Sequence, residues 1–282
     1  MYQNDSRGTT VQRFRDSAVG CGLMVAHPST DGAKSAGVDP PRRGYAAHMT
    51  TAKPGRGTPA VLFDVDGTLV DSNYLHVYAW QRAFDDEKMP VAAWKIHRCI
   101  GMDGSKLVRT LSGDAPDDVQ ERLSDGHSRY YRDLLPLLAP LPGAREVLRH
   151  VAGLGLQVVL ASSAPDDELK ALLKALDCDD VIAETTSSQD VDTAKPEPGI
   201  VQVALDRAGV DADHAVFVGD AVWDAQAAGA AGLPCIGVLS GGISSAELEA
   251  AGASPIFADP QDLLDHLGFT RIAELHTAGS KQ

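Results

Sequence analysis

The sequence is short of basic residues, and this shortage excludes some classes of partner. Its 39 acidic residues outnumber its 25 lysines and arginines, which gives a formal net charge of −14. A negative charge of that size argues against binding nucleic acid or an anionic membrane through a basic surface. It leaves room for a small anionic substrate, because a bound cation can reverse the field inside one pocket.

Long apolar runs and closely spaced cysteines are missing as well. No stretch approaches the roughly 18 apolar residues of a membrane span, and the amino terminus has no continuous apolar segment of the secretory type. The four cysteines lie far apart, and none has a C-x-x-C or metal-ligand spacing. We therefore expect reduced thiols and a cytoplasmic location.

From about residue 60 onward the sequence alternates between β-like and helical segments. Apolar runs predict strands at residues 60–62, 157–161, 181–184, 215–218, 235–239 and 255–257. The segments between the later strands predict helices at residues 144–152, 166–176, 198–208, 223–231, 245–251 and 260–267. Strands that alternate with helices require right-handed crossovers and a parallel sheet. The predicted fold is therefore α/β, with a doubly wound parallel sheet.

The composition divides the chain into further segments. Residues 1–57 are rich in small and polar residues, so we predict a disordered extension that cannot bury enough apolar surface to offset its ordering entropy. Met49 lies just before the fold, so a misassigned start or a tag remnant is one explanation of this extension, and a regulatory arm is another. Residues 73–140 consist mainly of helix formers and interrupt a core of residues 58–72 and 141–270. Residues 271–282 are set apart as a carboxyl-terminal tail.

The segment 63–72, with the sequence FDVDGTLVDS, carries the strongest functional signal. Gly67 allows a sharp turn at the end of the first predicted strand, where open α/β sheets place their ligand sites. Asp64 and Asp66 lie two residues apart, and like charges this close require a cation such as Mg²⁺ or strongly split pKa values. A solvated turn is the ordinary alternative for this pattern when it stands alone.

Polar residues also follow three later predicted elements. Ser162 and Ser163 come after the strand at 157–161, where a hydroxyl and backbone N–H groups can hold a phosphoryl oxygen. A helix N-cap is the alternative for Ser163. Lys195 lies in the loop TAKPEP before a helix, and Asp220 and Asp224 lie in GDAVWD after an apolar strand.

These four motifs occur in the order typical of the haloacid dehalogenase superfamily of phosphotransferases, which the sequence resembles over about residues 60–267. The resemblance implies that Asp64 is the nucleophile and forms an aspartyl-phosphate. It implies that Asp66 is the general acid and later deprotonates the attacking water. Ser162 would hold a phosphoryl oxygen, and the Lys195 ammonium would neutralise charge on the nucleophile and the phosphoryl group.

The resemblance also implies a metal site and a cap. Mg²⁺ would be bound by Asp64, the backbone carbonyl of Asp66, and Asp220, with Asp224 acting indirectly or through water. The helical insert would be the small cap of the family. His76 recurs at this spacing in the β-phosphoglucomutase branch, where the histidine lies at the cap hinge. We predict substrate-binding roles for Ser162, Ser163, Lys195 and His76, with an ordinary structural role as the alternative for the histidine.

The favoured activity is a Mg²⁺-dependent phosphatase acting on a small phosphorylated metabolite, such as a sugar phosphate or phosphoglycolate. A sugar-phosphate mutase is the alternative. In those mutases an arginine lies three residues after the hinge glycine, and Gly104 occupies that position here, counting from Gly101. Thr68 stands where they commonly have valine. Both departures favour hydrolysis.

Other reactions fit the motifs less well. Dehalogenating relatives need no metal and lack the second acid that Asp66 supplies. Phosphonate hydrolysis would require a Schiff-base lysine in the cap, and none of the lysines there lies in a convincing motif. A binding module without catalysis is disfavoured because all four motifs are intact.

Overall fold

The computed structural model describes residues 57–190 and 195–279. The predicted disordered extension therefore lies, apart from Gly57, outside the described residues. Within them, parallel strands form one sheet in the order β3-β2-β1-β4-β5-β6. This arrangement confirms the predicted doubly wound α/β fold. The strands are β1 (Ala60–Phe63), β2 (Gln157–Ala161), β3 (Ile182–Thr186), β4 (Ala215–Gly219), β5 (Cys235–Val238) and β6 (Ala253–Phe257).

The central strand β1 is apolar at every position for a structural reason. It pairs with β2 on one side and β4 on the other, so that Ala60 aligns with both Gln157 and Ala215. Successive side chains point to opposite faces of a strand. Val61 and Phe63 accordingly enter one apolar cluster, and Ala60 and Leu62 enter another. Both faces are covered, so the strand needs apolar residues at every position.

The order of the strands determines where a ligand can bind. From β1 the chain moves outward through β2 and β3, and then returns to the other side of β1 to build β4, β5 and β6. The strand order therefore reverses between β1 and β4. Open α/β sheets bind ligands in the crevice at the carboxyl ends of the strands at such a reversal.

Between β1 and β2 the chain inserts a group of helices within the segment predicted as 73–140. Four α-helices make it up, and they surround an apolar cluster of their own that includes Trp80, Phe84, Ile96 and Leu123. At Gly126 a Cβ atom would lie 3.0 Å from the Cβ of Ala83, so the first and fourth helices are in close contact there. The helices are α1 (Asn73–Asp86), α2 (Ala93–His97), α3 (Gly104–Ser112) and α4 (Asp117–Leu134).

The remaining helices of the described residues cover the sheet. They are α5 (Ala144–Gly153), α6 (Asp166–Leu176), α7 (Gly199–Ala208), α8 (Val222–Ala230), α9 (Ser245–Ala251), α10 (Pro260–Asp265) and α11 (Arg271–Gly279). None of the helices in the described residues is long and apolar enough to span a membrane.

The structure differs from the sequence-based expectation in several elements, among them β6, which begins at Ala253 rather than at residue 255. Strand β3 runs to Thr186 rather than ending near residue 184, and α10 ends at Asp265 before a 3-10 turn over Leu267–Phe269. The segment set apart as a tail contains α11, which buries Ile272 and Leu275 in the main apolar cluster. Two buried apolar positions in nine residues give only a weak periodic signal in the sequence. A helix this short depends on packing for its stability, and packing is not visible in the local sequence.

Candidate active site

Three of the predicted residues meet at the carboxyl ends of neighbouring strands. Asp64 follows β1, Ser162 follows β2, and Asp220 follows β4. All three are buried, with exposed fractions of 5%, 0% and 2%. The chain thus places them at the reversal of strand order, where the sheet itself predicts a ligand site.

Lys195 supplies a positive charge inside this cluster. Its side chain is fully buried, and its Nζ lies 2.6 Å from Oδ1 of Asp64 and 2.7 Å from Oδ1 of Asp224. Burial lowers the pKa of Lys195, but the two carboxylates raise it more, so its net pKa lies above the ordinary value. The residue is therefore an ammonium group at neutral pH, in contact with the predicted nucleophile.

Asp224 contributes to this arrangement from the first turn of α8. Its Oδ2 accepts a hydrogen bond from the backbone N–H of Ala221 at 3.0 Å, while Oδ1 contacts Lys195. The carboxylate thus links the amino-terminal turn of α8 to the buried ammonium. The first-turn position suits an acidic residue because of the helix dipole.

Asp220 is oriented by two residues of the segment that follows β1. Thr68 Oγ1 donates to Oδ1 at 2.9 Å, and Asn73 Nδ2 donates to Oδ2 at 2.9 Å. Gly67 makes the turn with a φ of +75°, and a Cβ there would lie only 2.6 Å from Oδ2 of Asp220. A larger residue would therefore be both strained and in collision with the carboxylate.

The carboxylates of this cluster fit a divalent cation. Asp64, Asp220 and Asp224 each offer an oxygen, and these atoms all lie within 4.8 Å of one another. Burial raises the pKa of Asp64 well above its usual range, although Lys195 opposes the shift. Burial, followed by the charge of Asp224, raises the pKa of Asp220 to about 7. One ammonium does not balance so many buried carboxylates, and hard oxygen ligands of this kind suit Mg²⁺.

Asp66 is held in a different environment. Oδ1 accepts a hydrogen bond from Ser72 Oγ at 2.5 Å and lies 3.2 Å from Nε2 of His76. Burial raises the pKa of Asp66, but the bonds from His76 and Ser72 outweigh that effect and leave the pKa below its usual value. The side chain is therefore a carboxylate at neutral pH, the form that can take a proton from water.

His76 joins Asp66 to a group of rings in the helical insert. Its Nδ1 lies 3.1 Å from Nε2 of His127 on α4, and its ring stacks on Tyr131 with centroids 3.9 Å apart. His127 in turn stacks on Trp80 at 4.1 Å. Burial lowers the pKa of His127 well below its usual value, and His76 lowers it further, so His127 is neutral. The insert therefore positions a side chain of the first motif.

The two serines after β2 have different surroundings. Ser162 Oγ accepts the backbone N–H of Ala164 at 3.0 Å and is fully buried. Ser163 lines a cavity of about 320 Å³ together with Asp64, Asp66 and His76. The cavity lining does not include Ser162, Lys195, Asp220 or Asp224. The structure thus gathers the predicted residues in one place but exposes only some of them to a substrate.

Sequence reasoning missed the residues that orient the site. Ser72 is the last residue of the segment 63–72 and Asn73 follows it directly, so both could have been considered as part of the site. His127 is 51 residues from His76 and lies in a helix that gives no motif, so the sequence contains no signal for their contact.

Comparison with known proteins identifies relatives of this chain. The family model for haloacid dehalogenase-like hydrolases matches residues 61–238. A phosphoglycolate phosphatase of Rhodospirillum rubrum is 32% identical over 220 residues, which cover 74% of this chain and 91% of the relative. The crystal structure of a hydrolase from Pseudomonas syringae has a TM-score of 0.72 and 39% identity, covering 75% of this chain and 98% of that one.

A more distant structure has the same fold. A Bacteroides vulgatus protein, provisionally assigned as a β-phosphoglucomutase, is 23% identical with a TM-score of 0.70. The similarity covers 81% of this chain and 92% of that one. On the family match and the identity to the Rhodospirillum rubrum relative, the chain belongs to the family of haloacid dehalogenase-like hydrolases.

Proposed function

We propose that this hydrolase is a Mg²⁺-dependent phosphatase that acts on a small phosphorylated metabolite through an aspartyl-phosphate on Asp64. The observation that carries the proposal is the position of Asp64, which lines the cavity while its Oδ1 contacts the Lys195 ammonium. The phosphatase name of the Rhodospirillum rubrum relative supports the same reaction class.

Two half-reactions follow from the residues beside Asp64. In the first, a carboxylate oxygen of Asp64 attacks phosphorus and the ester P–O bond breaks. Asp66, which takes up a proton from solvent when the anionic ester binds beside it, gives that proton to the leaving alkoxide. In the second, the Asp66 carboxylate takes a proton from a water that attacks the phosphorus of the aspartyl-phosphate. The P–O bond to Asp64 then breaks, which releases inorganic phosphate and restores the carboxylate.

The buried groups around this pair provide charge and orientation. Lys195 offsets negative charge on Asp64 and on the phosphoryl oxygens, and Ser162 with its neighbouring backbone N–H groups would hold one of those oxygens. Bound Mg²⁺, held by Asp64, the backbone carbonyl of Asp66, and Asp220, would neutralise negative charge on the phosphoryl group. Asp224 would keep Lys195 in place, since its Oδ1 lies 2.7 Å from Nζ, and would act on the metal only indirectly or through water.

We propose that the helical insert is a cap over this site. It contributes His76, Trp80, Met102 and His127 to the cavity lining, while the core contributes Asp64 and Asp66. A lining shared in this way lets the insert exclude bulk water during turnover. The limits of the cap at residues 73 and 140, and the cytoplasmic location of the enzyme, stay predictions.

A mutase is the less favoured activity for a specific reason. A mutase must hold a second phosphate group, which requires a cationic clamp from the cap. Gly104 lines the cavity at the position where the mutase branch has its arginine, and no lysine or arginine of the described residues lines it. The cavity therefore supports transfer of the phosphoryl group to water.

Substitution of each aspartate in the first motif tests the proposal. Asp64→Asn removes the nucleophile, whereas Asp66→Asn keeps it and loses a proton transfer worth about 10²–10⁴-fold. Para-nitrophenyl phosphate has a good leaving group, so the first half-reaction partly survives in Asp66→Asn and the aspartyl-phosphate accumulates. Intact-protein mass spectrometry after rapid quenching should find a phosphoryl adduct on Asp66→Asn and none on Asp64→Asn. An adduct on the Asp64 variant would assign the nucleophile to another carboxylate.

A further inference from the structure

The cavity beside Asp64 and Asp66 is lined partly by apolar residues and partly by acidic, hydroxyl and histidine side chains. No lysine or arginine within residues 57–190 and 195–279 lines it. Besides Asp64 and Asp66, the carboxylates of Asp103 and Glu168 line the cavity. Local structure accounts for Asp103, because its Oδ1 caps α3 by accepting the backbone N–H of Lys106 at 3.1 Å. It does not account for Glu168.

Glu168 is the third residue of α6 and is only 8% exposed. No hydrogen bond joins the Glu168 carboxylate to another described residue. Burial raises the pKa of Glu168 to about 7. Acidic residues are favoured in the first turn of a helix by the macrodipole. That effect explains the exposed neighbour Asp167, but it does not require a carboxylate turned into a cavity.

A buried carboxylate without a partner suits one class of ligand and rejects another. It can accept hydrogen bonds from hydroxyl groups, and a ligand that supplies them offsets its desolvation. In a cavity of about 320 Å³, a second anionic group on a small substrate would lie near Glu168. Like charges repel strongly where water is scarce. Within the described residues the lining offers no lysine or arginine to compensate, and the His76 ring that also lines it already pairs with Asp66 at 3.2 Å.

The neighbouring residues extend this preference. Ser105, Ser124, Ser128 and Ser188 line the same cavity and can donate to or accept from hydroxyl groups. Building on the phosphatase activity proposed above, we propose that Glu168 selects phosphate esters whose alcohol part bears hydroxyl groups and no carboxylate. The substrate class is then a polyol or sugar phosphate. Phosphoglycolate, which the relatives' name would suggest, carries the carboxylate that Glu168 rejects.

Pairs of substrates that share a carbon skeleton test whether the enzyme selects against a carboxylate. Glycerol 3-phosphate and 3-phosphoglycerate differ only in a hydroxymethyl or a carboxylate group, and sorbitol 6-phosphate and 6-phosphogluconate differ in the same way. The measurement is kcat/KM with Mg²⁺ at about pH 8.5, where the Glu168 carboxyl is ionised. We expect the hydroxyl member of each pair to be favoured by about tenfold or more. Equal values, or a preference for the carboxylated member or for phosphoglycolate, would overturn the proposal.

Substitutions test whether Glu168 causes the preference for the hydroxyl member of each pair. Glu168→Gln should raise kcat/KM for the carboxylated members and bring each ratio within about threefold of unity, because the repulsion is gone. Asp167→Asn removes the same charge from the exposed neighbouring position, and it should leave the ratios at the wild-type value. Para-nitrophenyl phosphate measures the chemistry apart from selection, and its turnover should stay within about twofold in the control variant Asp167→Asn.

The outcomes separate this proposal from the phosphatase assignment. Turnover of para-nitrophenyl phosphate with ratios that Glu168→Gln leaves unchanged would overturn the role of Glu168 alone. If Glu168→Gln does not fold, Glu168→Ser gives the second test with the same expected ratios. Failure to hydrolyse any ester in the presence of Mg²⁺ would overturn the phosphatase assignment itself.

Discussion

At the scale of single residues, the charge balance of the site depends on Lys195. Its ammonium contacts Asp64 and Asp224 and is fully buried. Pairing two buried charges stabilises a fold little compared with apolar packing, but removing one partner leaves the other charge uncompensated. We therefore expect the lysine to be needed for stability, apart from the catalytic role proposed for it.

Lys195→Met should lower the free energy of unfolding by about 3–5 kcal/mol, because the buried carboxylates lose their ammonium. Urea unfolding in EDTA at neutral pH measures the change without a metal. Lys174→Met, at an exposed position of α6, is the control and should change it by less than about 0.5 kcal/mol. A loss below about 1 kcal/mol in Lys195→Met would contradict the ion-pair account.

The contact between His76 and Asp66 predicts a pH-dependent stability. Burial lowers the pKa of His76, but Asp66 raises it more, so the folded pKa lies above the usual value. The unfolded pKa is about 6.5. Stability from a raised pKa is fully present below the unfolded value and is lost as the pH rises through the folded value. The contribution of His76 should therefore disappear in alkaline solution.

His76→Gln should destabilise the protein more at about pH 6 than at about pH 9, because only the protonated ring pairs with Asp66. Thermal unfolding in EDTA at the two pH values measures the difference from the unsubstituted protein. His150→Gln, at an exposed site of α5, should show the same small effect at both values. A larger effect of His76→Gln in alkaline solution would reverse the assigned sign.

At the scale of elements, the contact between α1 and α4 keeps His76 beside His127. Gly126 lets the two helices approach, since a Cβ there would already lie 3.0 Å from the Cβ of Ala83. The histidines lie on the same pair of helices and meet at 3.1 Å. Any residue that separates the helices should therefore disturb the site from a distance.

Gly126→Leu should destabilise the protein by about 1–3 kcal/mol, as expected for overpacking of a tight contact. It should also lower kcat, because His76 would move with α1. Gly229→Leu on α8 is the matched control, since a Cβ at Gly229 has no atom within 4 Å among the contacts described. Chemical denaturation of both variants measures the effect, and equal losses would show that the helix contact is unimportant.

At the scale of the whole molecule, a net charge of −14 and several buried carboxylates make the fold sensitive to cations. A ligand that binds only the folded state stabilises it by about 2.7 kcal/mol at a hundred times its Kd. Neutralising the cluster of Asp64, Asp220 and Asp224 would also relieve its mutual repulsion.

Mg²⁺ added to EDTA-treated protein should therefore raise the Tm by several degrees. Asp220→Asn should lose most of this increase, while Asp213→Asn, at an exposed position, should keep it. Hydrolysis of para-nitrophenyl phosphate should stop in EDTA, and Ca²⁺ should inhibit it, because its looser coordination misplaces the nucleophile. A Tm that does not respond to Mg²⁺ would contradict the metal site.

The sequence by itself determined where the strands lie and which carboxylates follow them. A strand buried on both faces must be apolar at every position, so β1, β2 and β4 are visible as short apolar runs. Asp64 and Asp220 follow two of these runs directly, and the carboxyl ends of parallel strands share one edge. Local pattern therefore located the site. The local pattern did not predict helix α11, because only Ile272 and Leu275 are buried apolar residues there.

Only the tertiary structure decided how the site is held together. A lysine in a polar loop is normally exposed, yet Lys195 is fully buried between two carboxylates. Thr68 donates a hydrogen bond to Asp220, which lies 152 residues away in the sequence, and His76 contacts His127, which lies 51 residues away. Glu168 faces the cavity while its neighbour on α6 is exposed. Such contacts depend on how packed elements are placed relative to one another, and no local sequence pattern encodes that placement.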